Sequence, residues 1–309
     1  MARPGRPQPA DGDTPLPSGQ RGVALLVVLW LLILLTIVVG VYAVLTRTEA
    51  MQARFLLDTT RARYAAEAGL HRAAYEMFNP DQETKWVGDG RPYTIDFGDA
   101  SVEIRITDES GKININRADV DLLTELFFDQ GVDELAAVSL ADAVLDWRDG
   151  DDEPTEYGAE IAEYDAAGYP YGPANQPFQT VDEIQQVMGM TQEMFTNIRD
   201  LLTVSGGTGS PNPAFASAQA LALLPDMDAM AAEEFVAERR DYHPSEQVGL
   251  MMANGELVSL QQVGRTFSVH AKATLASGTW ASVKATVAIG QGMRGRPFRI
   301  LAWRENVTE

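Results

Sequence analysis

The stretch VALLVVLWLLILLTIVVGVYAVL, residues 23–45, holds no charged side chain, and its reading decides the architecture of the whole chain. As a helix rising about 1.5 Å per residue it covers roughly 34 Å, close to one bilayer core. The apolar part of a secretory signal is about 7–15 residues, so this run is too long for the simplest removable signal. Arg21-Gly22 stand directly before it, and no charge follows until Arg47. The residues leave three readings: a plain membrane anchor, a signal peptide, or a segment cut at the glycine and kept. Positive charge orients it only weakly, because Arg3, Arg6 and Arg21 precede the run while Arg47, Arg54, Arg61 and Arg63 follow it. Residues 1–22, rich in Pro, Gly and polar groups, read as a disordered leader.

The helical pattern does not stop at the end of the apolar run. From Thr46 to Phe78 there is no proline, and Leu56, Leu57, Tyr64, Leu70 and Tyr75 recur at roughly helical intervals among Ala65, Ala66, Ala68 and Ala73. This predicts one helix from about Val23 to Phe78, half in lipid and half amphipathic, ended by Asn79-Pro80.

Composition narrows the function. The 309 residues carry a formal net charge of −20, which repels phosphate backbones and argues against nucleic acid as a partner. With no cysteine, disulfides, thiolate catalysis and zinc–thiolate sites are excluded. The three histidines, His71, His243 and His270, are far apart in sequence and read as structural. Neither a G-x-S-x-G elbow nor a P-loop occurs, so no enzyme signature is read.

Residues 93–106, YTIDFGDASVEIRI, alternate on both sides of Gly98-Asp99 and predict a β-hairpin. TFSVHAKATL (266–275) and WASVKATVAI (280–289) alternate too, and PFRILAW (297–303) predicts a last strand. The middle reads as helices. Asn116 is expected to cap a helix bearing Val120, Leu123 and Phe127. Thr180 precedes another helix, Gly189 can end it, and Thr191 can start the next. A third helical unit spans 212–240, after SGGTGSPNP (205–213), which reads as a flexible connector. Strands split by a helical block predict an α+β fold: a long N-terminal helix and an antiparallel sheet with a large inserted helical domain. The expected organisation is a leader over 1–22, a transmembrane and assembly helix over 23–79, sheet segments at 80–111 and 264–309, and the insert at 112–263. Its helix–turn–helix units look like helix-hairpin-helix or SAM-like modules. DNA binding is disfavoured there, because Asp182, Glu183 and Glu193 flank Gly189 and Arg199 is the one cation near it.

The sharpest chemical signal is LADAVLDWRDGDDEPTEYGAEIAEYD, 140–165, with ten carboxylates against the single cation Arg148. Leu145, Trp147, Tyr157, Ile161 and Tyr164 are interleaved and look packed, and carboxylates held close by a packed loop need a counter-cation. Calcium, which takes six to eight oxygens, suits such a loop. The EF-hand pattern starts at Asp149, Asp151 and Glu153 but fails at Pro154, where glycine belongs. From the residues alone, a calcium site and a solvated acidic face both stand.

A basic leader ending in Gly22, an apolar segment beginning at Val23 and a helix running into a globular part together resemble the type IV pilin and pseudopilin family. That resemblance implies cleavage between Gly22 and Val23 by a prepilin peptidase, methylation of the new terminus, and retention of the segment as anchor and assembly helix. Most members carry glutamate at mature position five; here it is Val27. Among pseudopilins, the K minor pseudopilins of type II secretion typically lack it. Their further motifs match GKININ (111–116), LDWRDGD (145–151), YGAE (157–160), NQPFQTVDEI (175–184), VMGM (187–190) and ILAWRE (300–305), in that order. The resemblance implies a non-enzymatic subunit at the tip of a periplasmic pseudopilus. It is anchored once in the bacterial inner membrane, beside I- and J-type minor pseudopilins and the major pseudopilin, and supports export of folded proteins. The alternative is a membrane-anchored helix-hairpin-helix protein for DNA uptake. The family's helical domain binds calcium, which the resemblance places on Asp146, Asp149, Asp151, Glu156 and Glu160.

Overall fold

The computed structural model describes residues 20–79, 81, 83–242, 249–260, 264–290 and 298–306. Most of the leader and His243 lie outside the described residues. The chain forms two compact units, 1–57 and 58–309. Helix α1 (Gln20–Met77) runs on through the division between them.

In the first unit α1 stands alone. Every side chain from Val23 to Leu57 is exposed, including Leu25, Trp30 and Tyr42. A bare apolar helix of this length is long and apolar enough to cross a membrane. The polar groups inside it are satisfied locally: Thr36 Oγ1 donates to Leu32 O at 2.8 Å, and Thr46 Oγ1 to Tyr42 O at 3.0 Å. Such i→i−4 bonds are what a hydroxyl in hydrocarbon requires.

In the second unit, residues 58–77 of α1 lie on a five-stranded antiparallel sheet. Its strands are β1 (Asp89–Phe97), β2 (Ala100–Asp108), β7 (Thr266–Leu275), β8 (Trp280–Ile289) and β9 (Phe298–Glu305), in that spatial order. Alternation puts Val102, Ile104, Ile106, Val269, Ala271 and Val283 on one face, all fully buried. The helix meets that face with Ala62, Ala65, Ala66, Leu70 and Ala73, also buried. Small side chains let the helix backbone come close. At Gly69 a Cβ atom would stand 2.7 Å from Val102 Cγ1 and 3.2 Å from Ala271 Cβ, so the packing distance itself demands glycine.

The insert leaves the sheet after β2 and returns at β7, and these are neighbouring strands, with Asp108 opposite Phe267. Its elements are β3 (Ile113–Asn114), α2 (Val120–Phe128), α3 (Glu134–Arg148), α4 (Ile161–Ala166), α5 (Gln192–Ile198), β4 (Leu202–Thr203), α6 (Ala218–Leu221), α7 (Ala229–Asp241) and the β5–β6 hairpin (Gly249–Met251, Leu257–Ser259). It builds a separate core around Leu123, Phe127, Val144, Trp147, Tyr164 and Ile198.

Several expectations are corrected. Asp119, not Asn116, caps α2: its side chain accepts from Leu122 N at 2.9 Å. Asn116 instead clamps the backbone of Phe178, donating to its O at 2.9 Å and accepting from its N at 2.7 Å. The segment after Thr180 is a 3₁₀ turn, Val181–Gln186, rather than an α-helix. The glycine-rich connector 205–213 is pinned, not loose: Asn114 Nδ2 donates to Gly206 O at 2.6 Å and Asn212 N to Ser110 O at 2.8 Å. The insert also holds short strands, parallel β3–β4 and antiparallel β5–β6, that no alternation announced. Gly189, with φ of +88°, does not end that segment, whose C-cap is Val187, but lies in the turn that follows it, and Thr191 caps α5 as expected.

Gly69→Val tests the helix–sheet distance. Overpacking at such a contact costs about 1–3 kcal/mol. The urea midpoint of the variant should fall accordingly, and a wild-type midpoint would show that the contact yields freely.

Candidate metal centre

Helix α3 presents Asp142 and Asp146 one turn apart, both buried. Each receives backbone donors from the loop that follows. Asp146 accepts from Thr155 N at 3.1 Å and from Ala159 N at 2.7 Å, and Asp142 from Tyr157 N at 3.1 Å. The YGAE segment is thus drawn across the helix by its own carboxylates. At Gly158 any Cβ would overlap the Asp146 carboxylate, which is why glycine stands there. Trp147 stacks on Phe178 with centroids 5.9 Å apart and packs beside Tyr164, fixing the far side of the loop to the insert core.

That path brings Asp149, Asp151 and Glu160 together. One oxygen from each lies within 4.8 Å of the others. Asp149 is the residue just past α3, with Oδ1 buried and without a hydrogen-bond partner. Glu160 heads α4 in a capping box with Glu163 and is only 2% exposed, yet beyond that contact neither carboxylate oxygen makes a hydrogen bond of normal geometry. Asp151 is exposed, and its Oδ1 accepts from Glu153 N at 3.0 Å. Arg148, the lone cation of the stretch, does not neutralise the group. Its guanidinium donates to the carbonyls of Ile115 and Ala118, the latter at 2.6 Å.

Burial leads in pushing the Glu160 carboxyl up to about 7, with Asp146 and Asp149 adding repulsion. Burial likewise raises Asp149, helped by Asp151 and Asp146, and raises Asp146. Three carboxylates that repel one another in a partly dry pocket are suited to a hard divalent cation. Oxygens about 2.4 Å from a calcium ion stand at most about 4.8 Å apart, and the ion takes oxygen ligands at flexible geometry. The donor set therefore fits calcium.

The structure places the five residues expected as ligands unequally. Asp149, Asp151 and Glu160 converge. Asp146 lies behind them, occupied by backbone amides. Glu156 is exposed and stands outside the group, close to Tyr157. Tyr157 and Ile161, which looked packed, are 46% and 51% exposed, whereas Trp147 and Tyr164 are core. Asp142, not singled out from the sequence, holds the loop as Asp146 does. Gly22 and Val23 both fall within α1.

Residues 104–207, which run from the middle of β2 through the carboxylate cluster into the pinned connector, match the family model described as type II secretion system (T2SS), protein K. Over this segment the chain is similar to type II secretion system protein K. The protein of that name from Klebsiella pneumoniae is 29% identical over 200 residues, covering 58% of this chain and 61% of the relative. That from Pseudomonas aeruginosa is 26% identical over 244 residues, covering 72% and 73%. Against the first relatives the match spans about three fifths of their length. Among solved structures, a chain from the crystal structure of the GspK-GspI-GspJ complex of the enterotoxigenic Escherichia coli type 2 secretion system shares the fold. Its TM-score is 0.53 at 17% identity, covering 85% of this chain and 99% of that one. The long helix, antiparallel sheet and helical insert are thus the α+β architecture expected. DNA uptake finds no support in these comparisons.

A raised folded-state pKa means that the proton is held more tightly in the folded chain. Its stabilising effect is full below the ordinary value of 4.5 and is lost as pH rises through about 7. The metal-free chain should therefore lose a few degrees of melting temperature over that window, and Glu160→Gln should lose less. Equal slopes in the two proteins would remove Glu160 from the account.

Proposed function

We propose that this chain is a minor pseudopilin of a type II secretion system. It would be an assembly subunit rather than an enzyme, supporting export of folded proteins across the outer membrane. The observation that carries this reading is positional. The segment matching protein K takes in the first part of the insert, with the carboxylate centre, and the insert is mounted on a sheet packed by the end of a long apolar helix. In this reading α1 anchors the chain once in the inner membrane and packs against neighbouring subunits, with the sheet and insert in the periplasm. The I- and J-type minor pseudopilins are its partners, a proposal supported by the shared fold with a chain of the GspK-GspI-GspJ complex. The major pseudopilin would lie below it in the fibre. Val27 in place of a carboxylate suits a subunit with no neighbour ahead of it, since an unpaired charge in hydrocarbon is costly. A bulky insert would suit the tip for the same reason: nothing has to stack above it.

Processing follows from this reading. Prepilin peptidase should cut after Gly22, leaving a methylated Val23 as the first residue. Amino-terminal sequencing of the mature chain, with and without the peptidase, decides the matter. A start at Val23 only when the enzyme is present is expected, and an intact Met1 or a cut beyond residue 45 overturns the pseudopilin assignment.

Calcium, in the same reading, is held by Asp149, Asp151 and Glu160, with backbone or water oxygens completing the shell. Binding to the folded chain alone raises stability by about 2.7 kcal/mol at a hundredfold excess over Kd. Millimolar calcium should raise the melting temperature and EDTA should reverse it, with the response lost in Asp149→Asn/Glu160→Gln. A melting temperature indifferent to EDTA would return the cluster to a solvated acidic face.

A further inference from the structure

The face of the sheet opposite α1 carries a polar cleft where the insert sits over it. One chamber has a volume of about 510 Å³ and the adjoining one about 420 Å³, and both are walled in part by Lys112, Asp200, Ser268 and Lys284. The charges in the cleft do not all cancel. Lys112 Nζ is 2.7 Å from Glu109, and Lys284 Nζ is 3.1 Å from Asp200, so these two cations are matched. Asp89 is gripped by Arg91 through bonds of 2.8 and 3.0 Å. Arg239 and Arg240, from the last turn of α7, form no ion pair with a described residue.

Arg239 is the unusual one. It is 4% exposed, lines the larger chamber, and donates from Nη1 to Pro213 O at 2.5 Å, while its Nε has no hydrogen-bond partner. Burial pulls its guanidinium down to about 10, against which the nearby Asp89 gives partial support. A buried guanidinium with an idle donor is costly, and native proteins keep such groups where something else supplies the acceptor. Arg240 stands exposed at the same chamber and adds a second fork.

We propose that this cleft receives a carboxylate side chain presented by a partner polypeptide, with Arg239 and Arg240 as the recognition groups. Arginine's planar fork matches a carboxylate in two parallel bonds. A doubly charged phosphate fits less well, because Asp89, Asp200 and Glu233 share the chamber walls and repel the second charge. Phe215, Ala218 and Val236 give the methylene stem and backbone of a peptide an apolar wall. The site lies on the insert–sheet seam and uses none of the metal-centre carboxylates, so it stands independently of calcium and of cleavage at Gly22.

The test uses the full-length chain in detergent micelles at constant ionic strength. The probe is an acetylated, amidated Ala-Glu-Ala tripeptide, with Ala-Gln-Ala as its neutral twin and inorganic phosphate as a third arm. Saturating Ala-Glu-Ala should raise the melting temperature by about 3 °C, with little effect from Ala-Gln-Ala or phosphate. Arg240→Gln, a surface change, should abolish most of that rise, and Arg239→Lys, which keeps charge but loses the fork, should reduce it. No difference between the two tripeptides overturns the proposal. So does a phosphate effect larger than the peptide's, or a full response in Arg240→Gln.

Discussion

Glu109 sits where the chain leaves the sheet, 4% exposed, and its carboxylate is held by three donors from three parts of the fold. Lys112 Nζ approaches to 2.7 Å, Ser268 Oγ of β7 to 2.6 Å, and Thr203 Oγ1 of β4 to 2.5 Å. Ser268 is in turn 3.2 Å from Thr286 Oγ1 of β8. One buried charge therefore joins the sheet to the insert's far strand and to the turn that opens the insert. Next to it, Asp108 is wholly buried, its Oδ1 accepts from Ser110 N at 2.9 Å, and the returning Gly264 packs directly on it. Stripping one partner from a buried ion pair costs on the order of 3–5 kcal/mol. That penalty disfavours arrangements of the insert on the sheet that leave Glu109 without these donors.

Everything further out inherits its position from that seam. Thr203 fixes β4, and β4 pairs with β3, which leads directly into Ile115 and Asn116. Ile115 O anchors Arg148, and Asn116 clamps Phe178. Phe178 stacks on Trp147, one residue after Asp146. The carboxylate cluster is thus the end of a chain of contacts, with its helix held at the C-terminal turn by a guanidinium and an aromatic stack. Its loop is held from beneath by Asp142 and Asp146. The motifs GKININ, LDWRDGD, YGAE and NQPF, separate in sequence, are one structure in space.

The large features were legible in the sequence because each leaves a long-range regularity. A charge-free run followed by thirty-odd residues without proline reads as α1, and alternation about Gly98-Asp99 reads as the β1–β2 hairpin. Strands of two or three residues, such as β3 and β5, are too short to show a period. The role of Asn116 is hidden from the sequence because a side-chain amide before a helix can cap it or bind elsewhere, and its partner Phe178 is 62 residues away. Tyr157 and Ile161 alternate with acids as core residues would, but the loop's path along α3 turns them outward. Which carboxylates converge was equally hidden. It depends on where Asp146 pins the loop, and that is a matter of three dimensions.

The count of acidic residues is a poor guide to the site, and the fate of each buried carboxylate is a better one. Most of them are answered locally. Glu76 meets Arg72 at 2.5 Å, Asp89 meets Arg91, Glu109 meets Lys112, and Asp142 and Asp146 accept backbone amides. Glu160 differs from all of these: it is as buried as they are, yet beyond the capping contact with Glu163 N at the head of α4 no group supplies its oxygens with a hydrogen bond of normal geometry. Arg239, on α7, is its cationic counterpart, buried with an idle Nε. In a chain of net charge −20, a surface carboxylate says little, because water screens it. A charge carried into the interior without a partner says more, because folding had to overcome the loss of hydration. By that measure two places stand out among the insert's described residues, the buried carboxylate of Glu160 and the buried guanidinium of Arg239, and they are the ones to which the two proposals attach.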